Sequence, residues 1–328
     1  MSKKTVIIAG GAGYIGSCTG YFLKQAGFDP IVLDNFSTSH RTTHPLFPTH
    51  ELDLTNLEDT KKIISELPKA YAIFHFAAKA LVSESTTRIW DYFNNNLLAT
   101  LNLAEVASQT AIPYLIHSSS CAVYGPPKSL PIRESDALNP ATPYGQSKVD
   151  AEQILEQFSR WKNLKVLNLR YFNPAGAIPE AGLGENHEPE THLIPNLVKS
   201  FLRQSSFEIF GNDYPTKDGT CIRDLIHIKD LAKAHLLGLT FLESHPEVKF
   251  ETLNIGTGQG VSVKEALMVA EKVLKVKGQV AVKPRRPGDP PELIADNSKM
   301  KQLLNWNPEF SLEDMIQDQM NFVCSNSK

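Results

Sequence analysis

Short apolar runs alternate with stretches of helical apolar spacing in the amino-terminal half of the chain. Residues 5–9 form a largely apolar run, the stretch from Tyr14 to Leu23 has helical spacing, and residues 31–33 form the next run. Continuous apolar runs of this length are typical of strands that are buried on both faces of a parallel sheet. The pattern therefore predicts a strand, a helix and a second strand.

The same alternation continues further along the chain. Helices are predicted at 56–67, at 90–108 and from Tyr144 onwards, and strands at 51–54, 72–78, 112–117 and 164–169. Strands that alternate with helices favour an α/β fold, here a Rossmann-type doubly wound parallel sheet between two layers of helices. The polar segment 34–50 is predicted to be a loop.

The pattern changes character near residue 175. Residues 175–192 are rich in Gly, Pro, Glu and His, which predicts an irregular lid or a loop that becomes ordered on binding. We predict a Rossmann domain over 1–175 and a smaller carboxyl-terminal α/β substrate lobe over 176–328, with the chain crossing back to the first domain around 221–255. The elements expected in the lobe are a helix at 193–204, a strand at 207–210 and further helix and strand patterns to Trp306.

Length and charge narrow the functional classes. The chain has 328 residues and a net charge of −3 with well-mixed acidic and basic residues, which argues against nucleic acid as a main partner. No stretch is long and apolar enough to span a membrane, and the first apolar run is too short for a signal peptide. We therefore expect a cytoplasmic protein that binds a small molecule and no membrane.

The cysteine and histidine spacing points to no metal site and no disulfide framework. The four cysteines are scattered, without a C-x-x-C pair, and no histidines stand at zinc-site spacing. A reducing compartment fits this distribution. The cysteines are Cys18, Cys121, Cys221 and Cys324.

Three glycines at a spacing of three residues follow the first predicted strand. Gly10 permits a tight turn, Gly13 allows the backbone to approach a pyrophosphate, and Gly16 lets the helix pack on the strand. The helix N-terminus then offers N–H groups to the phosphates. The alternative is a glycine-bearing turn of an ordinary α/β domain, but strand, glycines, helix and a following acid all occur in the expected order.

That acid is Asp34, which ends the second predicted strand. A carboxylate at this place accepts hydrogen bonds from an adenosine ribose and repels a 2′-phosphate, so it favours NAD over NADP. Asp53 either contacts the adenine or is a solvated loop acid. Ala77 and Ala78 end a strand with small side chains that would admit a cofactor.

Two polar groups are candidate ligand contacts. One of the three asparagines 94–96 is expected to face a ligand, because asparagine is a poor helix former and needs another reason to occur there. Ser118, Ser119 and Ser120 place three hydroxyls at the edge of the sheet where open α/β folds bind ligands. A plain polar turn would have a similar sequence.

Tyr144 and Lys148 are four residues apart at the start of a predicted helix, so both side chains lie on one face. An ammonium group near a phenol stabilises the phenolate, and we expect Lys148 to lower the pKa of Tyr144 from about 10 towards the range of a general base. Amphipathic surface helices have the same spacing. The glycine turn and the serine-ended strand favour the catalytic interpretation. Arg223 and Arg286 are either diphosphate clamps or solvated surface arginines.

These motifs together resemble those of the UDP-glucose 4-epimerases, which are extended short-chain dehydrogenase/reductases. The resemblance covers nearly the whole chain, and the loop from Gly211 to Thr220 is its most specific part. The motifs that carry it are Gly10 to Gly16, Leu33 to Asn35, Ser118 to Ser120, Tyr144 to Lys148, Leu169 to Pro174, Gly211 to Thr220 with Arg223-Asp224, and Arg285 to Asp289.

The resemblance implies an enzyme that keeps NAD bound and interconverts UDP-glucose and UDP-galactose through a 4-keto sugar. Tyr144 would be the base for the sugar 4-hydroxyl, Lys148 would tune it and hold the nicotinamide ribose, and Ser120 would hydrogen-bond the 4-oxygen. A homodimer formed through the helices 90–108 and 149–160 is also implied.

The resemblance further implies the binding residues. Those expected at NAD are Gly10, Gly13, Tyr14, Ile15, Gly16, Asp34, Asn35, Asp53, Leu54, Phe76, Ala77, Ala78, Asn95, Ser118, Tyr144, Lys148 and Tyr171. Those expected at the UDP-hexose are Ser120, Tyr144, Asn173, His192, Leu193, Phe210, Arg223, Arg286, Asp289 and Leu293. Within the second set, Arg223 and Arg286 would hold the diphosphate and Asp289 the uridine ribose.

Departures from the family pattern keep other readings open. Leu293 stands where some members carry a tyrosine that crowds the sugar's 2-position, so an epimerase of UDP-N-acetylglucosamine and UDP-N-acetylgalactosamine, or of both substrate pairs, is the alternative activity. Some members have a lysine at the position of Ala80, and Lys79 is its neighbour here, so a lysine contact to NAD is undecided.

Two other functions fit the sequence less well. A nucleotide-sugar 4,6-dehydratase normally carries an Asp-Glu pair just after the serine-ended strand, where this chain has Cys121 and Ala122. A non-catalytic NAD-binding regulator often lacks the tyrosine or the lysine, and this chain has both Tyr144 and Lys148.

Overall fold

A computed structural model describes residues 3–39, 46–286 and 288–326. Residues 40–45 of the predicted loop and Pro287 of the Arg285 to Asp289 motif lie outside the described residues. The strands are β1 Thr5–Ala9, β2 Asp29–Asp34, β3 Thr49–Glu51, β4 Ala70–His75, β5 Tyr114–Ser120, β6 Lys165–Tyr171, β7 Asn173–Ala175, β8 Ala177–Ile178, β9 Leu183–Gly184, β10 Phe207–Phe210, β11 Ile222–His227, β12 Phe250–Ile255, β13 Gly260–Ser262, β14 Val280–Lys283 and β15 Glu292–Leu293.

The helices separate these strands along the chain. They are α1 Tyr14–Gln25, α2 Leu57–Glu66, α3 Val82–Ser85, α4 Ile89–Gln109, α5 Pro143–Trp161, α6 Leu193–Leu202, α7 Ile228–Ser244, α8 Val263–Leu274, α9 Ser298–Leu304 and α10 Leu312–Asn326. Among the helices of the described residues, none combines the length and the apolar character that a membrane crossing requires.

The first sheet has seven parallel strands in the order β3, β2, β1, β4, β5, β6 and β12. Ile7 of β1 lies opposite Ile31 of β2 on one side and opposite Ile73 of β4 on the other. From β1 the chain first builds strands towards one edge and then reverses towards the other. The prediction of a Rossmann-type doubly wound α/β sheet is confirmed.

Successive residues of β1 belong to two separate apolar cores, because neighbouring side chains of a strand point to opposite faces of the sheet. Val6 and Ile8 pack in one core with side chains of α1, α7 and α9. Ile7 packs in the other core with side chains of α2, α4 and α5. A strand covered by helices on both faces needs apolar residues at every position, which explains the uninterrupted run in the sequence.

Several predicted boundaries differ from the structure, and the strand predicted at 72–78 runs instead over Ala70–His75, so Ala77 and Ala78 follow it. The strand predicted at 51–54 ends at Glu51, so Asp53 follows it. The three serines do not follow a strand but form the last residues of β5. The segment 175–192 is only partly irregular, because β8 and β9 pair antiparallel within it. Gly182 closes that pair with a φ of 66°, a left-handed conformation that glycine adopts without a steric penalty.

The second lobe has its own apolar core, formed by side chains of α6, α8, α10, β10 and β11. Its central strand β11 pairs with β13 antiparallel and with β7 and β15 parallel. After β11 the chain returns to the first sheet, where β12 pairs with β6. The division into residues 1–175 and 176–328 stays a prediction.

A buried ion pair joins β6 to α5. The guanidinium of Arg170 donates two parallel hydrogen bonds to the carboxylate of Glu152, at 2.9 and 2.6 Å, and both side chains are less than a tenth exposed. Ser119 donates a third hydrogen bond to the same carboxylate at 2.5 Å, and Tyr124 accepts one from Arg170 at 2.9 Å. The Arg170 and Glu152 charges neutralise each other, so loss of either side chain leaves an uncompensated buried charge.

We expect Glu152→Ala to lower the free energy of unfolding by about 3–5 kcal/mol, because it leaves the Arg170 guanidinium buried without its carboxylate. Glu156→Ala is the matched control one turn later on α5, where Glu156 makes an exposed pair with Arg160 at 3.9 Å and is worth about 1 kcal/mol or less. Urea unfolding of the two variants measures the difference. Equal losses would contradict the dominance of the buried pair.

Candidate active site

A cavity of about 620 Å³ lies at the carboxyl ends of the parallel strands of the first sheet. Gly10, Asp34 and Phe76 line it from the ends of β1, β2 and β4, and Ser120 lines it from the end of β5. Open parallel sheets bind their ligands at this edge, next to the point where the strand order reverses. Here that point lies between β1 and β4. Residues of the second lobe close the cavity from the other side.

The glycine turn brings three pieces of backbone into contact at the floor of the cavity. Gly10 has a φ of 76°, and a Cβ atom there would lie 2.5 Å from the backbone nitrogen of Ala77. A Cβ atom at Gly16 would lie 2.5 Å from the carbonyl oxygen of Gly10. These two glycines are therefore required by the packing of the protein itself.

Gly13 differs from its two neighbours in the motif. A Cβ atom there would meet only the Gly10 carbonyl oxygen, at 3.4 Å, and its φ of −76° suits any residue. Gly13 is the N-cap of α1 and supplies no side-chain cap, so the first N–H groups of the helix are left to other acceptors. The space above Gly13 and these N–H groups together fit a pyrophosphate.

Asp34 is held in place beside the glycine turn. Its Oδ2 accepts a hydrogen bond from the backbone N–H of Ala12 at 2.9 Å, and its Oδ1 accepts from the N–H of Phe36 at 2.8 Å. The residue is 8% exposed and lines the cavity. These hydrogen bonds fix the orientation of the Asp34 carboxylate at the cavity wall. Asn35, Asp53 and the other residues predicted at NAD also line the cavity: Gly10, Gly13, Tyr14, Ile15, Gly16, Leu54, Phe76, Ala77, Ala78, Asn95, Ser118, Tyr144, Lys148 and Tyr171.

Tyr144, Lys148 and Ser120 come together on the same wall. Helix α5 begins beside the cavity because Thr142 caps it through the N–H of Gly145 and Pro143 starts its first turn. Tyr144 and Lys148 therefore face the cavity from successive turns and are both buried. The Nζ of Lys148 donates a 2.7 Å hydrogen bond to the carbonyl oxygen of Ser118.

The expectation that Lys148 lowers the pKa of Tyr144 is wrong for this arrangement. Burial raises the pKa of Tyr144 to about 12, and the hydrogen bond to Ser120 acts in the opposite direction. Burial also lowers the pKa of Lys148 to about 8. The ammonium is directed at a backbone carbonyl, so it stabilises the phenolate less than the lost hydration destabilises it.

The serine triplet divides between the cavity and the protein interior. Ser118 and Ser120 line the cavity, and the hydroxyl of Ser118 is hydrogen-bonded to that of Tyr171. Ser119 points to the opposite face of β5, where it binds Glu152. The prediction of three hydroxyls at the ligand edge is therefore wrong for Ser119, because successive residues of a strand face opposite ways.

The asparagine cluster also divides. Asn95 lines the cavity, whereas Asn96 is buried and holds the backbone of Lys79 through two hydrogen bonds, at 2.8 and 3.1 Å. Asn96 also donates to Ser147 of α5 at 2.9 Å. Lys79 itself lines the cavity. Asn96 therefore fixes the strand end from which Lys79 faces the site.

The second lobe provides the opposite wall. Arg223 of β11 lies 3.3 Å from the carboxylate of Asp289 and donates a 2.9 Å hydrogen bond to the carbonyl oxygen of Pro290. Asn173 donates to the carbonyl oxygen of Asp224 at 3.2 Å. The predicted substrate residues that line the cavity are Ser120, Tyr144, Asn173, His192, Arg223, Asp289 and Leu293.

Three predicted substrate residues are not among those that line the cavity. The guanidinium of the exposed Arg286 lies 4.1 Å above the ring of Phe210, a half-buried residue at the end of β10. Leu193 is the first residue of α6, and its side chain packs on the apolar core of the second lobe.

Several cavity residues were not expected from the sequence, Glu185 and His187 among them. Glu185 and His187 line the cavity from the segment between β9 and α6. The Glu185 carboxylate lies 2.6 Å from the Nδ1 of His192 and raises the pKa of that imidazole to about 10. Acids and histidines at 185, 187, 190 and 192 were the available signal, but no regular element predicted that they would meet.

Comparison with known proteins decides the family. A model of the NAD-dependent epimerase/dehydratase family matches residues 6–256. A UDP-glucose 4-epimerase of Rhizobium leguminosarum bv. trifolii is 40% identical over 317 residues, which covers 96% of each chain.

The chain belongs to the NAD-dependent epimerase/dehydratase family.

Solved structures with the same architecture extend over the whole chain. The UDP-glucose 4-epimerase of Brucella ovis in complex with NAD has a TM-score of 0.91 at 38% identity and covers 97% of each chain. The UDP-glucose 4-epimerase of Bifidobacterium longum in complex with NAD+ and UDP has a TM-score of 0.91 at 33% identity and covers 99% of each chain. An NAD-dependent family member therefore needs a dinucleotide site, and the glycine turn with Asp34 fits one.

Gly10 is required for folding, whereas Gly13 is expected to be required for NAD binding. We expect Gly13→Ala to cost about 1 kcal/mol or less of NAD-free stability, because the added methyl group meets no backbone closer than 3.4 Å. It should nevertheless bind NAD more weakly, because the methyl group occupies the approach to the helix N-terminus. Gly10→Ala should cost about 2–5 kcal/mol through its positive φ and its contact with Ala77.

Urea unfolding of the NAD-free proteins and titration with NAD measure the two effects separately. Wild-type affinity in Gly13→Ala would show that this glycine does not make room for the cofactor.

Proposed function

We propose that this protein interconverts UDP-glucose and UDP-galactose with bound NAD, by reversible oxidation at C4 of the sugar through a 4-keto intermediate. The observation that carries the proposal is the convergence of buried Tyr144, Lys148 and Ser120 on one cavity with an uncapped glycine turn. The opposite wall carries Arg223, a guanidinium suited to phosphate oxygens. Relatives named UDP-glucose 4-epimerases over nearly the full length support the same activity.

The residues at the glycine turn fit NAD. The open space over Gly13, the N–H groups of α1 and the fixed carboxylate of Asp34 match a pyrophosphate and an adenosine ribose. The hydroxyls of Ser118 and Tyr171 and the Nζ of Lys148 would hold the other end of the dinucleotide. When bound, NAD supplies the hydride acceptor and donor and a positive charge on its oxidised ring.

We assign Tyr144 as the proton acceptor for the sugar 4-hydroxyl. Its phenol is buried in the cavity wall, and the neighbouring Ser120 hydroxyl favours the phenolate. Because burial disfavours the phenolate in a site of low dielectric, a nearby positive charge has a large effect on this group. The oxidised ring of bound NAD would bring such a charge to the site.

We assign the second-lobe wall to the UDP-hexose. Arg223 already has Asp289 as a partner at 3.3 Å, and Pro290 orients its guanidinium, so the group is presented to the cavity in one position. Asn173, His192 and Leu293 line the same cavity as Arg223 and Tyr144. In this arrangement the Arg223 guanidinium would hold the diphosphate, and fewer fixed side chains would contact the hexose.

We expect Tyr144→Phe to retain its fold and bound NAD and to lose turnover by about 10²–10⁴-fold, since the change removes the proton acceptor alone. Tyr92→Phe is the matched control: its ring lies 6.4 Å from that of Tyr144, its hydroxyl binds Leu81 and Glu84, and it should keep most of its turnover. Products from UDP-galactose, without added cofactor, are measured by chromatography.

The same assay tests the substrate. Separate incubations with UDP-galactose, UDP-N-acetylgalactosamine and UDP-glucuronate should give the 4-epimer of the first. Unchanged turnover in Tyr144→Phe, or no UDP-glucose from UDP-galactose with the wild type, would overturn the proposal.

We also propose a homodimer that forms through α4 and α5. Trp90, Leu98 and Leu101 lie on one side of α4 and are 76%, 37% and 40% exposed, and Trp161 at the end of α5 is 74% exposed. Apolar side chains grouped in this way are typical of a protein interface. Two such helices from each copy would form a four-helix contact.

We expect the wild type to have the mass of a dimer by light scattering and Leu98→Glu/Leu101→Glu to have the mass of a monomer, because the carboxylates cannot be desolvated between helices. Met268→Glu, at an apolar position of α8 that is 61% exposed, is the control and should remain dimeric. A monomeric wild type would contradict the interface.

A cytoplasmic location completes the proposal. Cys18, Cys121, Cys221 and Cys324 are all free thiols, and the first three are buried. Chains that keep several unpaired cysteines are typical of reducing compartments.

A further inference from the structure

Four side chains of the segment between β9 and α6 converge, three of which also line the cavity. They are Glu185, His187, Glu190 and His192, and one oxygen or nitrogen of each lies within 4.8 Å of those of the other three. Two imidazole nitrogens and two carboxylate oxygens form a donor set that transition metals bind. The segment supplies all four donors within eight residues.

The four donors are close enough together for a single ion to reach all of them. The Nδ1 of His192 lies 2.6 Å from Oε1 of Glu185 and 3.6 Å from Oε1 of Glu190. The Nδ1 of His187 lies 3.4 and 3.9 Å from the same two oxygens. Zinc bonds of about 2.0–2.2 Å in a tetrahedron place neighbouring ligand atoms about 3.3–3.6 Å apart. To surround one ion, the His192–Glu185 pair widens from 2.6 Å, and the zinc ion displaces the proton between them.

The surrounding protein holds the carboxylates in position. Oε2 of Glu190 accepts hydrogen bonds from the N–H of His187 at 3.3 Å and from Lys199 of α6 at 3.4 Å. The backbone carbonyl of Glu185 accepts one from Gln319 of α10 at 2.9 Å. Two helices thus fix the segment from behind, which reduces the loss of conformational freedom on binding an ion.

Two buried atoms of the cluster lack hydrogen bonds. The Glu185 side chain is 2% exposed, and its Oε2 has no hydrogen-bond partner among the described residues. The Nδ1 of His187 is also buried and unpartnered within that part of the chain, although it faces the two carboxylates. A buried carboxylate with an unpaired oxygen is costly in the interior, and a cation coordinated through Oε1 would neutralise the charge that the two oxygens share.

We propose that Glu185, His187, Glu190 and His192 form a Zn²⁺ site. Mg²⁺ and Ca²⁺ require six or more oxygen ligands, which this donor set does not supply. Four protein ligands leave no open position, so the ion is structural. Because Glu185, His187 and His192 also line the cavity, the ion fixes the wall between β9 and α6 on which the substrate side of the site depends.

The test is zinc binding by the full chain without an affinity tag, because a histidine tag itself binds zinc. After removal of metal with a chelator, equilibrium dialysis against Zn²⁺ and elemental analysis should give one equivalent per chain. Substitution with Co²⁺ should give the visible absorption of four-coordinate cobalt with nitrogen and oxygen ligands. Less than stoichiometric binding, or an octahedral cobalt spectrum, would overturn the proposal.

Ligand variants locate the site. We expect His187→Gln and Glu190→Gln to weaken zinc binding by more than about 100-fold, since each loses a direct ligand. Glu188→Gln is the matched control from the same segment and should bind like the wild type. The melting temperature should rise with zinc in the wild type and in Glu188→Gln but not in the ligand variants. Zinc binding that is unchanged in His187→Gln and in Glu190→Gln would contradict the assignment.

Discussion

The close approach of backbone at the end of β1 is the constraint on which the site depends. The N–H of Gly10 donates to the carbonyl oxygen of Leu33 of β2 at 2.8 Å, and the N–H of Phe76, just after β4, donates to that of Ala9 at 2.7 Å. These bonds draw the ends of three strands together, and no side chain fits at Gly10. Helix α1 is consequently held with its first turn over the sheet edge, and the other groups of the cavity are arranged around that fixed point.

The electrostatics of the site are governed by burial more than by pairing. Tyr144 and Lys148 are both shifted towards their neutral forms, because each loses hydration in the cavity wall. Two titratable groups in this condition respond strongly to any charge that enters, since Coulomb interactions are weakly screened in the interior. The protonation states of Tyr144 and Lys148 therefore depend on the charge of the bound ligand.

Local patterns in the sequence were sufficient for the sheet, the glycine turn and the Tyr144-Lys148 pair, because each is set by residues close along the chain. Ser119 could have been assigned correctly from strand alternation alone. The stacking of Arg286 on Phe210 could not be predicted in this way, because the two residues lie far apart in sequence. The direction of the Tyr144 pKa shift could not be predicted either, because it depends on how deeply the phenol is buried, and residue spacing does not show this.

The cluster around Glu185 marks a similar limit. Its donors come from a segment without a regular period, whose path is set by the turn at Gly182 and by the contact with Gln319. Spacing rules recognise metal sites built on helices or on cysteine pairs, and they do not describe donors gathered by an irregular path.

The return of the chain through α7 and β12 interlaces the two lobes. Removal of everything beyond residue 175 would strip α7 from α1 and leave β6 as an open edge, with its peptide groups available to other chains. The first sheet is therefore incomplete without residues that follow the second lobe's first strands in the chain. The two sides of the cavity consequently belong to one cooperative folding unit.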